Sequence, residues 1–177
     1  AYSSVAQRPP YGARLPNCCF SSVELLSDEP RTRRLVGGLR PTQPSRSISR
    51  PQVHRRRRGV DWTTVEEPYD LPDAISEHGV TDTVLLVDCL TLWLFNLVSA
   101  EREITDQTEA LITAISGVEG RIVLVSNEIG LGLVPDNVVG RRFRNLHGTL
   151  NQAVAATADR VVFIAAGLPV TLKGAED

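Results

Sequence analysis

The segment from Ile122 to Asn137 constrains the fold more than any other part of the chain, because it reads as a buried strand followed by a long loop. Its first residues, Ile122–Ser126, are typical of a strand in the interior of a parallel sheet. The loop contains two glycines and a proline, and it starts with the polar pair Asn127–Glu128. In open parallel α/β sheets, ligands bind at the carboxyl edge of the strands. The loop is therefore a candidate binding loop, and a long surface loop without a function is the alternative.

Strands and helices alternate from residue 62 onward, which predicts an α/β fold with a doubly wound parallel sheet flanked by helices. The predicted strands are Trp62–Val65, Val84–Asp88, Arg121–Ser126 and Val161–Ala165. The predicted helices run from Pro68 to His78, from Leu90 to Ala100, from Thr105 to Gly117, and onward from an N-cap at Asp136. Helical spacing in the last helix predicts an apolar stripe made of Val139, Phe143, Leu146, Leu150 and Val154.

The amino-terminal third differs in composition from the rest of the chain. Residues 1–58 carry twelve arginines and three acidic residues, whereas residues 59–177 carry seven basic and eighteen acidic residues. Residues 1–53 are rich in proline, serine and arginine, and only a short helix at Glu24–Pro30 and a strand stub at Leu35–Val36 are indicated there. We therefore expect an irregular amino-terminal segment.

The composition argues against several classes of protein. No apolar run is long enough to span a membrane. The three cysteines, Cys18, Cys19 and Cys89, form neither a disulfide framework nor a zinc pattern, which favours a cytoplasmic protein without a metal centre of that kind. The chain has eighteen arginines but one lysine, Lys173, so the usual phosphate-binding loop that ends in Gly-Lys-Ser or Gly-Lys-Thr is absent.

His54 is followed directly by the four arginines Arg55, Arg56, Arg57 and Arg58. A lone histidine is commonly a surface or packing residue, and an arginine run is commonly a solvated face or a nucleic-acid patch. The same arrangement fits a nucleophile, because imidazole can attack phosphorus while guanidinium groups neutralise the phosphate oxygens. Nucleic-acid binding is disfavoured, since aromatic platforms for base stacking are missing beside the run.

Asp88 ends a predicted buried strand. This is the position of the acid that organises Mg²⁺ in P-loop proteins. The alternative is an acid at the start of a helix that interacts favourably with the helix dipole.

Four stretches taken together resemble the bifunctional adenosylcobinamide kinase / adenosylcobinamide-phosphate guanylyltransferase family of cobalamin biosynthesis. They are the pattern H-R-x-x-R-x-x-x-W-x-T-x-E at His54–Glu66, LLVDCLTLWLFN at Leu85–Asn96, VSNEIGLGLVPDN at Val125–Asn137, and RRFRNLHGTLNQAVAATAD at Arg141–Asp159. The sequence AGLPVTLK at Ala166–Lys173 is also similar. The resemblance covers about two thirds of the chain and implies a P-loop-type sheet.

The resemblance implies a two-step transferase. The first step phosphorylates adenosylcobinamide with GTP, or with ATP, and the second transfers GMP from GTP onto adenosylcobinamide phosphate through a guanylyl-histidine. It also implies Mg²⁺ as a cofactor and a homo-oligomer. His54 matches the guanylylated histidine. Residues that match GTP-contacting positions are Arg55 to Arg58, Glu66, Asp88, Val36, Gly37 and Gly38.

The amino-terminal part departs from the family pattern. Where relatives have a strand, GGxRSGKS and a helix, this chain reads YGARLPNCC at Tyr11–Cys19, and no lysine is present. We therefore expect residues 1–53 to be a degraded or frameshifted part of the nucleotide-binding domain, and residues 54–177 to be the remainder of a single domain. A catalytically inactive remnant of the family is the alternative to an active enzyme.

Overall fold

The computed structural model of the chain describes residues 2–3, 32–37 and 62–174, the first two ranges by their backbone. Five of its strands form one sheet: Tyr2–Ser3 (β1), Thr32–Gly37 (β2), Trp62–Glu66 (β3), Thr83–Asp88 (β4) and Arg121–Asn127 (β5). Their spatial order is β1–β5–β4–β2–β3. β2 pairs in parallel with β3 and β4, and β4 pairs in parallel with β5, whereas β1 is antiparallel to β5. The carboxyl ends of four parallel strands therefore lie at one edge.

The helices that the structure describes are Leu71–His78 (α1), Leu90–Ser99 (α2), Ile104–Ser116 (α3) and Val138–Thr157 (α4). Two further strands, Val161–Ala165 (β6) and Leu168–Lys173 (β7), form a separate antiparallel hairpin. The predicted strands and helices between residues 62 and 127 are confirmed, with ends that shift by one to three residues. None of the described helices is long and apolar enough to cross a bilayer.

The core is built on β4, an almost continuous apolar run of the kind found in central parallel strands. Leu85 and Val87 are fully buried, and because side chains alternate along a strand they share one face. All four helices contribute to the apolar cluster on that face, whose fully buried members include Leu71, Ile75, Leu90, Trp93, Leu94, Leu97, Leu111 and Leu150. The chain is thus an α/β protein with parallel strands and packed helices. A doubly wound sheet has helices on both faces. The four described helices pack together on one face, so this arrangement stays a prediction.

The helix boundaries on either side of the sheet edge differ from expectation. α1 begins at Leu71 rather than Pro68, and Pro72 takes a first-turn position, where the missing N–H leaves no hydrogen bond unmade. Asn137, not Asp136, caps α4, since its side chain accepts a hydrogen bond from the Gly140 N–H at 2.6 Å.

Two further predictions about the carboxyl-terminal half were wrong. Val139 is 72 % exposed instead of buried in the stripe of α4; its neighbour Val138 is also exposed, so the first turn of the helix lies outside the apolar cluster that Phe143 and Leu150 contact. Val161–Ala165 is a strand as predicted, but among the described residues it pairs with β7 and not with a strand of the parallel sheet. Ala166 and Gly167 both have positive φ, 52° and 79°, and they close a two-residue hairpin that pairs it with β7.

Candidate functional site

Three strands bring the predicted GTP-contacting positions of the sheet to the same edge. Gly37 at the end of β2 pairs with Glu66 at the end of β3. On its other side β2 pairs with β4, where Val36 lies opposite Val87, so Asp88 ends the neighbouring strand. Gly37 therefore lies between the two acidic positions. The structure thus brings these positions together, and their contact with GTP stays a prediction.

The two carboxylates are separated by one strand, which places their strands about 9–10 Å apart. Glu66 is exposed and Asp88 is partly buried. Within the described ranges, no three histidine, cysteine or acidic side chains form a metal-binding cluster. These carboxylates fit a Mg²⁺ site in which one or two carboxylates and the substrate phosphates hold the ion. They do not fit a site in which protein ligands alone surround the metal.

Cys89 directly follows Asp88 and is buried. Burial raises the pKa of its thiol above the ordinary value of 9.0, and the nearby negative charge of Asp88 acts in the same direction. The thiol is therefore protonated at neutral pH, which makes Cys89 a poor nucleophile.

Side chains of α2 hold the chain where it leaves the edge after Glu66. Trp93 Nε1 donates a hydrogen bond to the carbonyl oxygen of Tyr69 at 2.8 Å, and Asn96 Nδ2 donates to the carbonyl oxygen of Pro68 at 3.1 Å. Trp93 and Asn96 are almost fully buried. The sequence LTLWLFN thus supplies both core contacts and a support for the end of β3. Periodicity alone indicated only the core contacts.

The loop between β5 and α4 is held by charged side chains. Glu128 Oε1 accepts a hydrogen bond from the Gly130 N–H at 2.6 Å, and Arg144 Nη2 donates to the carbonyl oxygen of Gly130. Arg141 Nη1 donates to the carbonyl oxygens of Pro135 and Asp136, at 3.0 Å and 2.7 Å. The loop is consequently tied at both ends to the first two turns of α4.

The end of this loop needs a glycine in the helix that follows. A Cβ atom at Gly140 would lie 2.7 Å from the Cβ of Pro135, so a larger residue would push the loop away from α4. In the middle of the loop, Leu131, Leu133 and Val134 are exposed by 69 %, 96 % and 63 %. The loop therefore presents apolar side chains to its surroundings next to the carboxyl edge of β5.

A network of polar side chains that no sequence motif indicated lies behind the end of β5. Thr91 Oγ1 lies 2.9 Å from His147 Nε2, and Ser126 Oγ donates to Asn151 Oδ1 at 2.7 Å. The side chain of His147 is fully buried. Burial lowers its pKa below the ordinary 6.5, and the negative charge of Glu128 opposes part of that effect. The uncharged imidazole is therefore the form present at neutral pH.

Several predicted site residues lie outside the described ranges. These are His54, Arg55, Arg56, Arg57, Arg58 and Gly38, together with the predicted helix at Glu24–Pro30. Val36 and Gly37 are placed by their backbone only. Lys173, the single lysine, is far along the chain on β7, where its Nζ donates to the carbonyl oxygens of Ala155 and Ala156 at 3.1 Å and 2.8 Å.

A groove between α1 and α3 is separate from this edge. Its lining includes Ser76, Gly79, Ala110 and Gly117. Because Gly79 and Gly117 shortly precede β4 and β5, the groove lies toward the amino ends of the strands, away from Asp88.

Comparison with known proteins gives a consistent result. A family profile described as "Cobinamide kinase / cobinamide phosphate guanyltransferase" matches residues 47–172. The chain is 45 % identical over 123 residues to the bifunctional adenosylcobalamin biosynthesis protein CobP of Pseudomonas aeruginosa, a match that covers 68 % of this chain and 71 % of that protein. It is 34 % identical over 140 residues to CobU of Salmonella typhimurium and 31 % identical over 140 residues to CobU of Escherichia coli, each match covering 71 % of this chain and 77 % of the relative.

The profile includes the carboxyl edge with Glu66 and Asp88, the loop after β5 and the histidine–arginine run. Because it spans most of the chain, the resemblance drawn from the motifs is confirmed, and the chain belongs to the cobinamide kinase / cobinamide phosphate guanyltransferase family.

Proposed function

We propose that the chain transfers GMP from GTP onto adenosylcobinamide phosphate and so makes adenosylcobinamide-GDP in cobalamin biosynthesis. The observation that carries this proposal is the convergence of Gly37, Glu66 and Asp88 at one sheet edge, in a chain whose profile match also includes His54. The proposal extends to a homo-oligomer that acts in the cytoplasm.

In the proposed reaction, an imidazole nitrogen of His54 attacks the α-phosphorus of GTP, and pyrophosphate leaves with the electron pair of the broken P–O bond. A phosphate oxygen of adenosylcobinamide phosphate then attacks the same phosphorus. The P–N bond breaks, adenosylcobinamide-GDP forms, and the imidazole is regenerated. Arg55 to Arg58 would neutralise the charge that develops on the phosphate oxygens.

The carboxyl edge of the parallel strands would complete the nucleotide site. Gly37 lacks a side chain between the two acidic positions, and with Val36 and Gly38 it would let the backbone approach GTP closely. Asp88 would hold Mg²⁺ together with phosphate oxygens, and the ion would reduce the negative charge of the triphosphate. Glu66 would accept hydrogen bonds from the nucleotide.

The same proposal covers the fold of the whole domain. We infer a P-loop-type, doubly wound sheet from which residues 1–53 have diverged by degradation or a shifted reading frame. This inference rests on YGARLPNCC at Tyr11–Cys19 and on the change of composition after residue 58.

The kinase step is expected to be the weaker of the two activities. Phosphoryl transfer depends on positioning and electrostatics around the β- and γ-phosphates, where P-loop enzymes use a lysine. The single lysine of this chain instead holds carbonyl groups of α4. The absence of lysine from Tyr11–Cys19 favours a second candidate function, a family member that binds its substrates weakly and is catalytically inactive.

Product analysis tests the proposal and separates the two candidates. The purified chain is incubated with adenosylcobinamide phosphate, GTP and Mg²⁺, and adenosylcobinamide-GDP is measured by chromatography. His54→Ala is compared with His78→Ala, a matched change on α1. We expect product from the wild type and from His78→Ala but not from His54→Ala. A folded wild type without product would favour the inactive remnant.

A further inference from the structure

We propose that Thr91, His147 and Asn151 form a clamp of positioning residues that fixes the peptide groups of Asn127 and thereby the start of the loop 128–137. The part of this inference that concerns GTP rests on the proposed function. The part that concerns the loop stands on the geometry alone.

Both backbone polar groups of Asn127 are held by side chains. Its N–H donates to Thr91 Oγ1 at 3.0 Å, and its carbonyl oxygen accepts from Asn151 Nδ2 at 3.0 Å. Thr91 belongs to α2 and Asn151 to α4, so the last residue of β5 is fixed between two helices.

His147 braces these two side chains. The Asn151 amide orientation is set by its neighbours, because the Asn127 carbonyl oxygen only accepts and the Ser126 hydroxyl donates to Oδ1. Asn151 Nδ2 is therefore the atom that faces His147 Nδ1, at 3.4 Å, and Nδ1 is the ring nitrogen without hydrogen. The proton is then on Nε2, which donates to Thr91 Oγ1 at 2.9 Å.

The location of the clamp gives it an effect on the loop. Glu128 and Gly130 follow Asn127 directly, and the Glu128 carboxylate accepts from the Gly130 N–H. If the peptide groups of Asn127 lose these side-chain partners, the first residues of the loop lose their attachment to α2 and α4, and glycine adds conformational freedom there. The clamp therefore acts on the site through Asn127 and does not touch the substrate itself.

A contribution to overall stability is the competing explanation for the network. The two explanations predict different kinetics. General destabilisation lowers the fraction of active enzyme, which reduces the apparent kcat and leaves KM for GTP unchanged. Loss of loop positioning raises KM for GTP in enzyme that remains folded.

The experiment uses the full chain and two matched pairs of variants. Thr91→Val removes the hydroxyl at nearly constant shape, and Thr113→Val makes the same change on α3, where the hydroxyl only bonds the carbonyl oxygen of Glu109. Asn151→Ala is paired with Asn145→Ala, an exposed position of the same helix. Thr91→Ser keeps the hydroxyl and removes only the methyl group. Amide hydrogen exchange of residues 127–132 is measured without nucleotide, and KM and kcat are measured with GTP.

We expect Thr91→Val and Asn151→Ala to speed exchange of these amides about tenfold and to raise KM for GTP about tenfold, with kcat changed by less than about threefold. Thr91→Ser and both control variants should resemble the wild type. Unchanged exchange in both clamp variants, or a lower kcat with unchanged KM, would overturn the clamp. If the wild type makes no product, the proposed function fails, and the exchange measurement still decides whether the clamp exists.

Discussion

Trp93 donates a hydrogen bond from Nε1 to the carbonyl oxygen of Tyr69, and this contact joins a fully buried indole of α2 to the segment that follows Glu66. The two residues are 24 positions apart in the sequence. The same side chain therefore packs in the core and holds the backbone three residues after Glu66.

Replacing Trp93 with phenylalanine should destabilise the chain by about 1–3 kcal/mol. The reason is that the Tyr69 carbonyl group loses its partner and the smaller ring leaves a space. Urea unfolding followed by circular dichroism measures the change. Trp62→Phe, at a partly buried position of β3, is the matched control and should have a smaller effect. Equal effects of the two changes would speak against a special contribution from the Trp93 contact.

Leu150→Ala should be among the most destabilising single changes in α4. Leu150 is buried in the apolar cluster, and truncation of such a leucine costs about 2–5 kcal/mol. Leu133→Ala makes the same change where the side chain is 96 % exposed, and it should alter the free energy of unfolding by less than about 0.5 kcal/mol. A small effect of Leu150→Ala in the same denaturant titration would contradict the position assigned to α4 in the core.

The pH dependence of stability should contain a contribution from His147. Because burial lowers its pKa from 6.5, the unfolded chain binds more protons than the folded chain between the lowered pKa and 6.5. This contribution is fully present above pH 6.5 and is lost as the pH falls through that window. Its slope is at most about 1.4 kcal/mol per pH unit.

The variant His147→Gln isolates this contribution. Free energies of unfolding between pH 5 and 8 should fall less steeply toward acid in this variant than in the wild type. Parallel curves for the wild type and His147→Gln would show that His147 is not held in its uncharged form by the fold.

Asp88→Asn should lower kcat/KM for GTP by about 10- to 100-fold, since a charged contact to the metal–nucleotide complex is lost. The expected loss should shrink as the Mg²⁺ concentration is raised. Asp82→Asn provides a control just before the opposite end of the same strand, at a positive φ that asparagine tolerates. Equal activity of the two variants would remove Asp88 from the nucleotide site.

Local sequence patterns predicted most of the individual strands and helices, because each depends mainly on the order of its own residues. The apolar run Val84–Val87 indicated a central strand, and the acid after it was placed correctly at the carboxyl edge. The same approach was wrong at Asp136, because either of two adjacent polar residues could cap α4 and only the geometry selects Asn137. It was also wrong for β6, because nothing in Val161–Ala165 distinguishes a parallel from an antiparallel partner.

Such local patterns do not predict the polar network behind β5. The contact between Thr91 and His147 spans 56 positions, and that between Thr91 and Asn127 spans 36. Hydrogen bonds between residues so far apart in the sequence produce no periodic pattern in it. The only hint in the sequence was that polar residues occur within the apolar faces of α2 and α4. Polar residues at such positions are equally compatible with exposure on the surface.

Covalent labelling shows directly whether His54 carries the transferred GMP. The folded chain is incubated with Mg²⁺ and GTP labelled at the α-phosphorus or the γ-phosphorus, then denatured and separated from free nucleotide. We expect acid-labile, base-stable label from the α-labelled nucleotide only, with none on His54→Ala and normal labelling of His78→Ala. Label that persists on His54→Ala, or a folded wild type that acquires none, would contradict guanylyl transfer through His54.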